Sequence, residues 1–322
     1  MKKKIVVTRR WPEQVEQLLA QKYDCEFNTN DISFDEQKFR DALINADALL
    51  TTVTDNLDAS VMSVDNPRAR VIANFGVGFS HIDTQAAQAK NIVVTNTPDV
   101  LSDCTADLAM TLLLMSARRA GEGERELRSG NWTGWRPTHL MGTKVSGKTL
   151  GIVGFGRIGR AMAKRAYAGF DMNIKVFNRS QVAAASLAEV GAEPLASIEE
   201  LLPVCDFVSL HCPGGGANTH LINSERLKLM KPDAHLINTA RGEVVDEEAL
   251  IAALSAHHIA GAGLDVFENE PAIDSRLPEL SNAVLLPHLG SATVETRDAM
   301  GFRVVSNLEQ FFSGIDPSDR VV

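Results

Sequence analysis

Gly154-Phe155-Gly156-Arg157-Ile158-Gly159 is the stretch that decides the fold. The apolar run Thr149–Val153 leads into it, and the helix-like Arg160–Tyr167 follows. A strand, a glycine turn and a helix in that order make a dinucleotide fingerprint. Such a fingerprint needs a tight strand-to-helix turn, backbone close enough to touch a pyrophosphate, and helix N–H groups aimed at its charge. The next strand-like run, Ile174–Phe177, ends in Asn178-Arg179-Ser180 and not in an acid. A carboxylate there would bind the ribose hydroxyls of NAD. Arginine among small polar residues instead receives a 2′-phosphate, so the expected cofactor is NADP, with NADPH preferred over NADH.

Outward from the fingerprint, strand-like runs alternate with helix-length segments. The strands are Ile5–Thr8, Ala48–Val53, Val71–Asn74, Val93–Thr95, Thr149–Val153, Ile174–Phe177, Phe207–Leu210, His235–Asn238, Gly261–Val266 and Ala283–Leu286. The helices include Pro12–Gln21, Asp35–Ala46, Gly159–Tyr167, Ile198–Pro203 and Asp246–Ala256. This rhythm predicts an α/β fold of two doubly wound parallel-sheet domains, with short apolar strands buried on both faces. The first occupies roughly residues 1–98 and lacks a phosphate fingerprint. The second carries it and opens with one long helix, Ser102–Gly130. A last helix, Thr293–Phe312, is free to return to the first domain or to stay with the second. In Ser102–Gly130, Leu108, Leu112 and Met115 share a core-like face, while the charged Arg119–Arg128 half suits solvent or a subunit contact. The loop behind it holds Trp132 and Trp135, which fit oligomer contact and plain packing equally.

Composition narrows the class. The chain has 322 residues, 44% hydrophobic and 23% charged, as expected of a globular protein of about two domains. A net charge of −9 disfavours a general nucleic-acid surface. Cys25, Cys104, Cys205 and Cys212 lack metal-ligand spacing and read as buried, reduced thiols, with no metal site. Behind Met1-Lys2-Lys3-Lys4 the apolar run is too short for a signal peptide, and Leu108–Met115 is too short to span a membrane. The expectation is a soluble, cytoplasmic protein.

Three further motifs stand where strands end: Asn238-Thr239-Ala240-Arg241-Gly242, Asp265 to Pro271 with Glu270, and Pro287-His288-Leu289-Gly290-Ser291. Ligands of open parallel sheets bind at the carboxyl ends of strands, so Arg241, Glu270 and His288 are candidates to meet at one site. Reducing a 2-oxoacid needs such types: an arginine fork for the carboxylate and carbonyl, a histidine to give the proton, and a carboxylate to fix the histidine. Singly, each has a plainer reading as a turn, a solvated loop acid or a structural histidine. Gly76–Asp83, which contains His81, is a glycine-rich strand-to-helix loop that suits either an anion or a tight turn.

Together with Thr239-Ala240-Arg241-Gly242, Gly263–Phe267 with Glu270-Pro271, and Pro287–Ser291, the fingerprint resembles the D-isomer-specific 2-hydroxyacid dehydrogenases over essentially the whole chain. Within that family the chain is most similar to glyoxylate/hydroxypyruvate reductases. The resemblance implies a discontinuous substrate domain (1–98 and 290–322), a coenzyme domain (99–289), a cleft between them, and a homodimer built on 102–141. It implies that Arg241 binds the substrate, that His288 donates the proton with Glu270 as partner, and that Val77 and Gly78 offer N–H groups to the substrate carboxylate. Thr105, Gly154, Gly156, Arg157, Ile158, Gly159, Asn178, Arg179, Ser180, Cys212, Pro213, Thr239, Ala240, Asp265 and Gly290 would line the cofactor, with Asp265 on the nicotinamide amide. The loop Pro213–Thr219, with three glycines, departs from the family pattern. The alternatives are an NAD-linked enzyme of phosphoglycerate, formate or lactate type, and a dinucleotide-sensing scaffold.

Overall fold

Apolar strand runs, rather than the helices, set the architecture. The computed structural model describes residues 2–322, and the chain divides into two compact units: residues up to Leu101 joined by Ala292–Val322, and Ser102–Ser291.

In the first unit, β1 (Lys4–Val7), β2 (Asp24–Phe27), β3 (Ala48–Thr52), β4 (Val71–Phe75) and β5 (Val93–Thr95) are all parallel, in the order β2-β1-β3-β4-β5. The central Ile5, Val7, Leu49 and Leu50 are fully buried, as a sheet covered on both faces requires. Sequence reading overlooked β2, because Asp-Cys-Glu-Phe is a half-exposed edge strand with no continuous apolar run. The helix Val294–Phe312 belongs to this unit. Its Met300, Val304, Val305 and Leu308 pack with Ile5, Val7, Val15 and Leu19. Gly301 allows the approach, since a Cβ there would lie 2.5 Å from Val15 Cγ2. The last residues run antiparallel beside β5, with the Val321 N–H on the Val94 carbonyl at 2.7 Å.

The second unit holds β6 (Thr149–Val153), β7 (Asn173–Phe177), β8 (Glu193–Pro194), β9 (Phe207–Leu210), β10 (His235–Asn238), β11 (Gly261–Leu264) and β12 (Ala283–Leu285), all parallel, in the order β12-β11-β10-β9-β6-β7-β8. Strand order reverses at β6, which makes its carboxyl end the switch point of a Rossmann-like sheet. The expected single helix over 102–130 is two: Ser102–Ala117, with Ala106, Ala109, Leu112 and Leu113 fully buried, and Ala120–Arg128, which buries nothing. Arg119 between them is left-handed (φ 51°), because the charged second half has no core to follow. The thiols also correct the expectation. All four are free, but only Cys205 is fully buried. Burial still pushes the Cys25 and Cys212 thiols up to about 11 and Cys205 up to about 12, so they rest protonated. No described helix is long and apolar enough to cross a membrane, and no described cluster of acids, histidines and cysteines could hold a metal.

His235 in β10 is buried between Ser116 Oγ (2.8 Å) and Thr143 Oγ1 (3.3 Å) and stacks on Phe207. Burial holds its pKa down to about 4 from 6.5. The folded state therefore keeps the ring neutral while the unfolded chain takes up a proton below pH 6.5. That contribution to stability is full above pH 6.5 and is lost as pH falls toward 4. Wild type should lose stability across this window more steeply than His235→Gln in urea titrations, by up to about 1.4 kcal/mol per pKa unit. Parallel pH slopes would contradict this.

Candidate active site

The fingerprint leaves β6 through Gly154, whose φ of 94° and approach to the β9 end admit no side chain: a Cβ would lie 2.7 Å from the Cys212 nitrogen. Gly159 meets the Gly154 carbonyl, where a Cβ would lie 2.1 Å away. Above Gly156 the space is open, with nothing within 4 Å of an added Cβ. Gly156 also caps the Arg157–Phe170 helix without any side-chain bond, the form of helix N-terminus that suits an anion. Asn178 braces the loop. Its Oδ1 accepts from the Phe155 N–H (2.9 Å), and its Nδ2 donates to the Ser180 carbonyl (2.8 Å) and Oγ (3.1 Å). Arg179 and Ser180 beside it are exposed. Across the sheet end, Thr105 Oγ1 donates to the Gly290 carbonyl (3.0 Å), while the buried Thr239 Oγ1 has no partner among the described residues. An open glycine cradle, uncapped helix N–H groups and an orphaned buried hydroxyl all fit a dinucleotide.

Arg241, Glu270 and His288 lie in this same unit. Asn238, buried at the end of β10, shapes the turn that presents Arg241. Its Oδ1 accepts from the Ala240 N–H (3.0 Å) and its Nδ2 donates to the Arg241 carbonyl (2.9 Å). Burial lowers the Arg241 pKa, opposed by the nearby charges of Glu270 and Glu243. His288 Nδ1 stands 2.7 Å from Glu270 Oε2, and Glu270 Oε1 accepts from the Phe267 N–H at 2.9 Å. Burial alone would raise the Glu270 pKa. The His288 hydrogen bond and charge, with the Phe267 N–H and Arg241, outweigh it and hold the carboxyl below its ordinary value. An ionised carboxylate only accepts, so His288 Nδ1 carries a hydrogen and Nε2 is the atom left for chemistry.

His288 itself is left-handed (φ 54°). Asp265, just past β11, holds it there. The His288 N–H donates to the Asp265 carbonyl (2.9 Å), and the Leu289 and Gly290 N–H groups donate to Asp265 Oδ1 (2.6 Å) and Oδ2 (2.8 Å). Burial raises the Asp265 pKa against the pull of those N–H groups and of His288. The departing loop 213–219 has a local reason: a Cβ on Gly214 would lie 2.9 Å from Arg241 Cγ, so the loop lies along the arginine stem. Cys212 and Pro213 begin it, and Asn218 Nδ2 closes it on the Pro213 carbonyl (2.9 Å). Sequence reading did not find Asn238, nor the His220–Glu268 pair (2.7 Å) that joins the far end of this loop to the Glu270 turn. An Asn or Asp at a strand end reads as a turn residue until its partners are known. Val77 and Gly78 lie in the other unit, after β4.

Residues 110–290 match the family described as D-isomer specific 2-hydroxyacid dehydrogenase, NAD binding domain. The chain is 44% identical to a glyoxylate reductase of Pyrococcus furiosus, over 98% of this chain and 94% of that one. It is 38% identical to a glycerate dehydrogenase of Hyphomicrobium methylovorum, over 98% of each. Its fold matches an NADPH-dependent glyoxylate/hydroxypyruvate reductase of Sinorhizobium meliloti, solved with NADP and malonate, at a TM-score of 0.87 and 33% identity, covering 100% of this chain and 97% of that one. Fold, fingerprint and sequence likeness together make this chain a member of the D-isomer-specific 2-hydroxyacid dehydrogenase family, an oxidoreductase with a nucleotide-binding Rossmann-like unit.

Proposed function

We propose that the protein reduces a small 2-oxoacid, glyoxylate or hydroxypyruvate, to the D-2-hydroxyacid (glycolate or D-glycerate) with NADPH. The observation that carries this reading is the His288–Glu270 pair beside Arg241 at the carboxyl edge of the fingerprint sheet. Arg241 grips the substrate carboxylate and polarises its carbonyl through a planar fork of donors. Ionised Glu270 orients the His288 ring through Nδ1, and Nε2 of the imidazolium delivers its proton to the oxygen as the alkoxide develops. His288 is left neutral, still donating through Nδ1 to Glu270. Bound NADPH would supply the hydride for the carbonyl carbon. The Gly154–Gly159 loop, Thr105, Cys212-Pro213, Thr239, Ala240 and the 289–290 backbone are read as its cradle, and Asn178–Ser180 as the pocket for the 2′-phosphate. Because Asn178 is committed to Phe155 and Ser180, that preference rests on Arg179 and Ser180. The N–H groups of Val77 and Gly78 are read as donors to the substrate carboxylate.

The names of the relatives support the substrate class, and the NADPH-dependent relative supports the coenzyme. Exposed Leu127, Trp132, Trp135 and Met141 support a homodimer built on 102–141, for which a second copy would cover that apolar surface. A sedimentation mass of one chain would sink that part of the reading.

Purified protein should oxidise NADPH when glyoxylate or hydroxypyruvate is added. Arg241→Ala should abolish turnover, and His288→Ala should lower kcat by about 10²–10⁴ while NADPH still binds. Retained activity in either variant removes the mechanism. Steady-state rates should favour NADPH over NADH, and Arg179→Ala should shrink that preference by about tenfold. A wild-type preference for NADH would overturn the phosphate-pocket reading.

A further inference from the structure

The loop after β4 carries an unassigned set of side-chain donors. Gly76, Val77 and Gly78 turn their three carbonyls onto them. The Gly76 carbonyl accepts from Asn74 Nδ2 (3.1 Å) and from the Thr97 N–H (3.1 Å). The Val77 carbonyl accepts from Asn96 Nδ2 (2.8 Å), and the Gly78 carbonyl from Asn74 Nδ2 (2.9 Å). In a planar trans peptide, each carbonyl fixes the opposite direction for the N–H of the next residue. Holding the Gly76 and Val77 carbonyls therefore aims the Val77 and Gly78 N–H groups away from the two asparagines. Neither N–H has a partner among the described residues, and both residues are half-buried. Two successive N–H groups held open in this way make a receiver for an anion.

The asparagines are themselves fixed. Asn74 is fully buried, and both its amide hydrogens are committed, so Oδ1 can only accept; His81 Nε2, 3.1 Å away, must be the donor. Asn96 is held through its backbone by the end of the chain. Its N–H donates to the Asp319 carbonyl (3.2 Å), and its carbonyl accepts from Asn307 Nδ2 (3.3 Å). Asp319 is gripped by both arms of the Arg303 fork at 2.7 Å. The bonds from the C-terminal segment thus reach the residue whose side chain orients the Val77 peptide.

We infer that Asn96 and Asn74, with His81 behind Asn74, are positioning residues that aim the Val77 and Gly78 N–H groups at the carboxylate of the substrate. This rests on the proposed reduction of a 2-oxoacid. It differs from a plain tight turn, because a turn would need neither side-chain donors on all three carbonyls nor two N–H groups left open.

Asn96→Asp is close in shape but sets an oxygen against the Val77 carbonyl, freeing that peptide to rotate. Steady-state kinetics with NADPH should show KM for glyoxylate and Ki for oxamate raised roughly tenfold or more. The turnover number should stay within about threefold, because uniform binding is what is lost. The dissociation constant of NADPH, read from its fluorescence, should not change. His81→Ala should raise the same KM, and His81→Gln, which keeps a donor toward Asn74, should restore it. If wild type reduces no 2-oxoacid, the proposed function falls and this inference with it. If wild type is active, wild-type KM and Ki in Asn96→Asp overturn the inference alone, as does a fall in turnover or in NADPH binding at unchanged KM. Should Asn96→Asp fail to fold, the His81 pair decides, and equal KM values in His81→Ala, His81→Gln and wild type overturn it.

Discussion

One carboxylate holds the chemical end of the nucleotide-binding sheet together. Asp265 leaves β11 with its N–H on the Asn238 carbonyl (2.9 Å), takes the His288 N–H on its own carbonyl, and accepts the Leu289 and Gly290 N–H groups on its side chain. The ends of three neighbouring strands, β10, β11 and β12, are tied through this one residue. His288 sits in a left-handed conformation that costs a non-glycine residue about 1–2 kcal/mol. Flanking bonds to one anchored side chain are what keep it there, and only from there does its Nδ1 meet Glu270. The depressed Glu270 pKa, the histidine tautomer and the free Nε2 all follow from that placement.

The same device recurs at other strand ends with asparagine in place of aspartate. Asn238 shapes the Arg241 turn, Asn178 pins the fingerprint loop through Phe155, and Asn74 with Asn96 pins the loop after β4. Each satisfies backbone groups that a short loop cannot satisfy by itself. An amide can donate and accept at once, which suits it to freezing a loop against which an anion is to sit. Aspartate, which only accepts when ionised, stands where three N–H groups converge on one residue.

Much of this was legible from the chain. Short apolar runs such as Ile5–Val7 and Leu49-Leu50 announced parallel strands, and the glycine spacing with its flanking strand and helix announced the switch point of the larger sheet. Arg241, Glu270 and His288 stood out because each follows such a run. What stayed hidden depends on contacts between distant segments. Edge strands Asp24–Phe27 and Glu193–Pro194 are short and polar, since one side of an edge needs no apolar cover. The break at Arg119 arises because Ala120–Arg128 finds nothing to pack on, which no local pattern records. The brace formed by Asp265 depends on the register of β11 against β12, with Leu264 opposite Leu285, and register is a property of the folded sheet. Asp265, which the resemblance marks as a cofactor contact, also takes a backbone N–H group on each carboxylate oxygen.

The brace at Asp265 governs where the proton donor sits. Asp265→Asn keeps the shape of the side chain but points an amide at N–H groups, so His288 should leave its position while the rest of the sheet is unchanged. Single-turnover rates of glyoxylate reduction with saturating NADPH are the direct measurement. The rate should fall about 10²-fold with intact near-ultraviolet circular dichroism. A folded Asp265→Asn protein that turns over at the wild-type rate would contradict that role of the brace.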